Sequence, residues 1–187
     1  TIGYLSRMTQ SLGLEVLVDA FMMLKVNNRI NNLKLRIMGG HTPEDVPFIK
    51  SMRQKLDKWH MLSDVEFIDG FDREQRIEFL RSLSVMSVPL KHPEAFGMFM
   101  LEALACGVPV VQPKIGAFPE IVEATGGGVC YEPNDTVTLA SALENALMDR
   151  QRLSGLGRTG RKAVLERFSV KKMAESMLEV YERCSKA

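Results

Sequence analysis

The sequence has little of what marks a specialised environment. It carries three cysteines, Cys106, Cys130 and Cys184. They are odd in number, far apart and never form a C-x-x-C pair. That excludes a disulfide frame and a zinc site and reads as reduced intracellular thiols, hence a cytoplasmic location. No apolar run approaches the ~18 residues that a membrane helix needs, and the opening Thr1-Ile2-Gly3-Tyr4 lacks the basic start of a signal peptide. An excess of one charge is missing too. With 24 Lys and Arg against 23 Asp and Glu, there is no electrostatic footprint for nucleic acid or an anionic lipid surface. There is no initiating Met, and the chain opens directly in a β-like run, so the expectation is a piece of a longer protein.

What remains is an ordinary globular composition, 45% hydrophobic and 25% charged over 187 residues. A chain of that length buries roughly 70% of its unfolded surface, enough for a core without staples, and length favours one domain.

Short β-branched runs alternate with helical patterns. Strands are expected at Thr1–Leu5, Leu33–Met38, Val65–Ile68, Ser84–Val88, Val108–Gln112 and Gly128–Tyr131. Helices are expected near Gly13–Val26, from Thr42-Pro43-Glu44-Asp45 to about Trp59, from Asp72 to about Leu83, at Gly97–Cys106 and near Pro119–Ala124. Thr42 reads as an N-cap with proline at the first helical position, and Asp72-Arg-Glu-Gln75 resembles a capping box. After Asn134-Asp135 only helices follow, at about 136–149, 151–167 and 170–185. This alternation requires crossover connections. The expected fold is therefore α/β, a doubly wound, Rossmann-like parallel sheet with a helical C-terminal tail.

Such sheets bind ligands outside the carboxyl ends of their strands. The loops there are Ser6–Leu12, Gly39–Thr42, Asp69–Asp72, Pro89–Phe96 and Pro113–Phe118. Several motif matches elsewhere are decoys. Gly155-Leu-Gly157-Arg-Thr-Gly160 fits G-x-G-x-x-G, but it follows a helical stretch and is expected to be a helix–helix junction. His92-Pro93-Glu94 imitates a deaminase H-x-E without its P-C-x-x-C partner. His41 and His60 are isolated, and the basic stretch Arg150 to Lys162 reads as a solvated helix face.

The informative segment runs from Pro93 to Gly107. It leaves a strand, passes Glu94, turns through Gly97 and becomes a helix apolar on nearly every side, expected to be buried. Glu102 sits inside that helix and must meet hydrogen-bond donors, because an unpartnered buried carboxylate costs several kcal/mol. One reading is a core Glu bonded to loop amides. The other is a ligand site: the free amides of Phe96, Gly97, Met98 and Phe99 and the helix dipole favour an anion, while a carboxylate accepts from vicinal hydroxyls. Arg7, in the loop after the first strand, either grips a phosphate bidentately or pairs with a neighbouring acid. Phosphate plus polyol points to a sugar nucleotide.

Glu94 and Glu102, separated by seven residues, lie in E-A-F-G-M-F-M-L-E-A-L-A-C-G-V-P-V-V. This resembles the E-x(7)-E signature of the retaining glycosyltransferases of family four, the C-terminal domain of "glycosyl transferases group 1". The resemblance extends through Gly3-Tyr-Leu-Ser-Arg7, Met38-Gly-Gly40, Phe67-Ile-Asp-Gly-Phe71, Gly116-Ala-Phe-Pro-Glu120 and Gly128-Val-Cys-Tyr-Glu-Pro133. It implies that residues 1–187 form the nucleotide-sugar donor-binding domain of a GT-B enzyme, its N-terminal acceptor domain lying outside this chain. It implies that Glu94 contacts the transferred sugar, Glu102 the ribose, Arg7 and the amides around Gly97 the diphosphate, and the backbone near Gly39 and Phe71 the rest of the donor, with Glu94 and Arg7 as the catalytic pair. It implies no cofactor and no metal, and an acceptor hydroxyl on a sugar, lipid or other molecule bound through the missing domain. The family's Lys-Gly after the arginine is replaced by Leu12-Gly13: either another cation substitutes, with Lys91 and Lys114 on the crevice loops, or the donor is gripped more weakly, or a different donor is used. A non-catalytic nucleotide-sugar module is the alternative. A phosphorylase is disfavoured, since no pyridoxal-phosphate lysine motif is present.

Overall fold

A computed structural model of the chain describes residues 1–70, 72–93 and 95–185. Six strands form one sheet in the order β3-β2-β1-β4-β5-β6: β1 (Ile2–Leu5), β2 (Leu35–Gly39), β3 (Val65–Asp69), β4 (Val85–Met86), β5 (Val110–Pro113) and β6 (Gly128–Tyr131). Every pairing is parallel. β1, β4 and β5 are buried along their whole length, as expected for strands covered on both faces. The winding direction reverses between β1 and β4, so the switch point lies at their carboxyl ends.

The helices are α1 (Leu14–Asn27), α2 (Val46–Lys58), α3 (Arg73–Arg81), α4 (Met98–Ala105), α5 (Phe118–Thr125), α6 (Thr136–Met148), α7 (Arg150–Arg167) and α8 (Val170–Ser185). α1 packs on α2 and α6, and α4 and α5 pack on α7. Thr42 and Asp72 cap as expected, Asp72 without the return bond of a capping box, and Asp135 is a further cap. Thr42 and Asp45 close a reciprocal capping box on the 3-10 turn Pro43–Asp45 that leads into α2. Asp72 accepts from the amides of Glu74 and Gln75, both at 3.0 Å. Asp135 accepts from Thr138 N at 2.7 Å and opens α6.

Two expectations are corrected. β4 spans Val85–Met86, shorter than Ser84–Val88: Ser87 N still donates to Gly3 O (3.0 Å), and Val88 N turns from the sheet to the buried Gln112 Oε1 (3.1 Å). The second concerns Gly155, Gly157 and Gly160, which lie inside α7 and not at a junction. A Cβ on Gly157 would stand 2.2 Å from the Gly107 carbonyl oxygen, and one on Gly160 would stand 2.7 Å from Gly127 Cα. These glycines let α7 approach the backbone beside α4, and tertiary packing overrides their local turn signal. α8 is exposed throughout and buries none of its residues. Among the described residues no helix is long and apolar enough to cross a membrane.

Candidate functional site

The loop after β1 is organised by Tyr4, which stands fully buried in an otherwise aliphatic strand. Its hydroxyl donates between the carbonyls of Arg7 (3.0 Å) and Leu12 (3.2 Å), and burial pushes the phenol pKa up. Ser6 N and Met8 N donate to Met38 O (3.2 Å) and Gly40 O (3.0 Å), stitching this loop to the one after β2. Arg7 is half exposed, and its Nε lies 3.5 Å from Asp45 Oδ2. The guanidinium is therefore turned toward the β2 side, whereas Gly97 follows β4 on the other side of β1. Hydrogen bonds from the Thr42 amide and hydroxyl, with a smaller share from Thr9 and Arg7, hold the Asp45 carboxyl below its ordinary pKa. Tyr4→Phe removes the side-chain donor from both carbonyls, and among the described residues Arg7 O keeps only Thr9 N at 2.9 Å. The expected cost is about 1–2 kcal/mol, read as a lower urea midpoint at unchanged m-value; an unchanged midpoint would show that the hydroxyl does not hold the loop.

The loops after β1 and β4 touch. Lys91 N donates to Ser11 O at 3.4 Å, and Gly13, at φ 75°, lies directly beneath Pro89 O. A relay from β6 anchors the β4 loop: Tyr131 OH donates to Asn134 Oδ1 (2.9 Å), and Asn134 Nδ2 donates to Leu90 O (2.6 Å). Gly97 then caps α4 at φ 74°, and a Cβ there would come within 2.7 Å of Phe118 Cε1. Only glycine reaches this left-handed turn and the close contact together. Among the described residues no backbone carbonyl accepts from the amides of Phe96, Gly97, Met98 or Phe99. Phe99 turns its ring inward, edge-on to Phe118 at 5.8 Å, while the side chains of Phe96 and Met98 are exposed.

Burial of α4 on every side is not observed. Met100, Leu101, Ala103 and Leu104 face the core, but Met98 is exposed and Glu102 is 30% accessible. Glu102 meets a guanidinium rather than loop amides: its Oε1 lies 3.4 Å from Arg76 Nη1 on α3. The two side chains share the wall of an open cavity of about 300 Å3 between α3, α4 and α7. Over the ends of β2 and β3 lies a second cavity, of about 240 Å3, lined by Met8, His41, Phe67 and Asp69 among others. His41 is not isolated, since its Nδ1 lies 3.2 Å from Asp69 Oδ1. Gly39 is buried at the end of β2, its carbonyl accepting from Gly70 N at 3.3 Å. Glu94 and Phe71 lie outside the described residues.

Of the two substitute cations, Lys114 is engaged with Glu132 at 2.9 Å, and that hydrogen bond raises its pKa. Lys91 is placed beside the β1 loop. Sequence reasoning missed Tyr4, Asn134 and Arg76. Tyr4 left one signal, a hydroxyl in an aliphatic strand; the others left none, because the partners that place them, Leu90 for Asn134 and Glu102 for Arg76, are distant in the chain.

The fold is a doubly wound α/β domain whose switch point carries the Arg7 loop and the α4 amino end, with Glu102 on the wall of the cavity between α3, α4 and α7. The family model "Glycosyl transferases group 1" matches residues 1–163, and the chain belongs to that family. It is 26% identical over 182 residues to the D-inositol 3-phosphate glycosyltransferase of Jonesia denitrificans, covering 97% of this chain and 42% of that protein. Among solved structures it is similar to the sucrose-phosphate synthase of Thermosynechococcus elongatus, with TM-score 0.83 and 26% identity over 99% of this chain and 45% of the other. It also shares its fold with Anabaena HepE in complex with UDP and glucose, with TM-score 0.85 and 21% identity over 97% of this chain and 48% of the other. The chain thus spans less than half the length of these relatives, and the expected Rossmann-like architecture of GT-B neighbours holds.

Proposed function

We propose that this chain is the donor-binding half of a retaining glycosyltransferase, moving a sugar from a nucleoside-diphosphate sugar to an acceptor hydroxyl. The observation that supports this most is the α4 amino end at the β1/β4 switch point, whose first amides meet no backbone acceptor among the described residues, with Glu102 one turn along the same helix. In this reading the amides from Phe96 to Phe99 and Arg7 receive the diphosphate, with Lys91 as the second cation across the β1 loop. Glu102, oriented by Arg76, accepts from the ribose hydroxyls. Glu94 takes the hydroxyls of the transferred sugar, and the backbone near Gly39 and Phe71 lines the remainder. As the glycosidic bond breaks, negative charge builds on the departing phosphate; donors already in place there lower the barrier. The acceptor attacks from the face the nucleotide leaves, and its proton passes to the leaving phosphate.

A thermal-shift screen of the chain against UDP-, GDP- and ADP-sugars tests the reading. A cognate donor at ~100 Kd adds about 2.7 kcal/mol, which raises Tm by roughly 5–10 °C in a chain of this size. No shift with any of them would overturn the proposal. Leu12, where the family pattern has lysine, favours a second reading, a nucleotide-sugar module without catalysis. Donor binding without sugar transfer by the full-length protein would select it.

A further inference from the structure

The basic stretch Arg150–Lys162 has no role in the donor reading, although Arg161 also reaches the wall of the Glu102 cavity. The structure folds it into α7, where Arg150, Arg158 and Arg161 line one open cleft of about 290 Å3 with Ser84, Gly107 and Ser154. Ser84 precedes β4 and Gly107 precedes β5. The cleft therefore lies at the amino ends of these strands, at the opposite edge of the sheet from the crevice. Among the described residues no carboxylate lines it.

Its positive charge is uncompensated. Among the described residues neither Arg150 nor Arg158 forms an ion pair. Arg161 gives one N–H to Ala105 O at 2.5 Å, which leaves the rest of its guanidinium donors for another partner. Local helix electrostatics point the same way. The first turn of α7 holds no acid but carries Arg150 and Arg152, against the preference of a helix amino end for negative charge. The one carboxylate at that end, Asp149, is the N-cap and accepts from Arg152 N at 2.9 Å. A turn chosen for folding alone would carry the opposite sign, and departures of this kind concentrate at functional positions.

We propose that this cleft binds a phosphoryl group of a phosphorylated small molecule, gripped by Arg150, Arg158 and Arg161, with the hydroxyls of Ser84 and Ser154 at its rim. The planar guanidinium fork matches phosphate oxygens two at a time. The volume stands near the lower end of small-molecule sites, about 300 Å3, which suits a sugar-phosphate-sized ligand. A phosphatidate headgroup offers the same chemistry from a membrane. The proposal is independent of the donor reading, and its test keeps the two apart.

Pyrophosphate is titrated calorimetrically, in phosphate-free buffer, into the parent chain, Arg7→Ala and the double variant Arg150→Gln/Arg158→Gln. Both substituted side chains are exposed, so the double variant should keep its Tm; Arg158→Gln alone serves if it does not. Affinity retained in Arg7→Ala and weakened at least tenfold in the double variant supports the site. Cosedimentation with phosphatidylcholine vesicles, with and without phosphatidate, identifies the source. Phosphatidate-dependent pelleting that the double variant loses, with no pyrophosphate binding in solution, assigns a lipid headgroup. Pyrophosphate binding that only Arg7→Ala abolishes, or neither binding nor pelleting, overturns the proposal.

Discussion

Gly13→Ala is expected to lower stability by more than about 4 kcal/mol, an exceptional loss for one methyl group, and Tm by roughly 8–16 °C at this chain length. Two effects combine. At φ 75° the residue caps α1 in the left-handed region, which costs an L-residue about 1–2 kcal/mol by itself. The new Cβ would also stand 1.8 Å from the Pro89 carbonyl oxygen. That obstacle is backbone, not the end of a flexible side chain, so the β1 and β4 loops must separate. They form the two sides of the crevice, and the variant should therefore lose donor binding together with stability. Gly155→Ala is the matched control. It lies inside α7, and its Cβ would have nothing within 4 Å, so a change between neutral and about 1 kcal/mol stabilising is expected. Calorimetry on the pair decides. Equal melting temperatures for parent and Gly13→Ala would mean that the loops do not meet at this point.

The strand–helix alternation was legible because each strand is a short apolar run ended by glycine, proline or a polar turn, and because the caps at Thr42 and Asp72 are local. The misreadings share a cause. Periodicity reports which residues are apolar, not what they face. α4 reads as buried on all sides, yet Met98 is exposed and Glu102 opens onto a cavity, since a crevice wall and a core wall have similar composition. The glycines of α7 read as a junction because their use depends on Gly107 and Gly127, far away in the chain. β4 is cut short by the side chain of Gln112, which no pattern around Val88 announces.

The candidate residues could be singled out in the sequence, but their pairings could not. Arg7 and Glu102 stand out by loop position and spacing. That one stands against Asp45 and the other against Arg76 depends on how loops and helices pack. Each pairing satisfies a charge while leaving it exposed enough to exchange partners: the Arg7 side chain is 54% accessible and Glu102 30%. An ion pair this open contributes little stability. The same residues can therefore be kept for binding without a large folding cost if they are changed.

Arg7→Ala is accordingly expected to separate binding from folding. Asp45 keeps its bonds from the Thr42 amide and hydroxyl, both at 2.8 Å, so the Tm of the variant should match the parent. Under the proposed function Arg7 leaves Asp45 for the diphosphate, and removing it should weaken nucleoside-diphosphate binding about a hundredfold, about 2.7 kcal/mol. Turnover of the full-length protein should fall by a similar factor, because a lost donor at the developing phosphate charge costs about 2.7–4 kcal/mol. Arg7→Lys should recover only part of the loss, since an ammonium supplies the charge without the bidentate fork. Affinity for the nucleoside alone should not change, because that part of the ligand is assigned to Glu102 and the β3 loop. Calorimetry with the matched nucleoside and nucleoside diphosphate reads both quantities. Equal diphosphate affinity in parent and Arg7→Ala would leave Arg7 as a partner of Asp45 only, and the diphosphate would then rest on the α4 amides and Lys91.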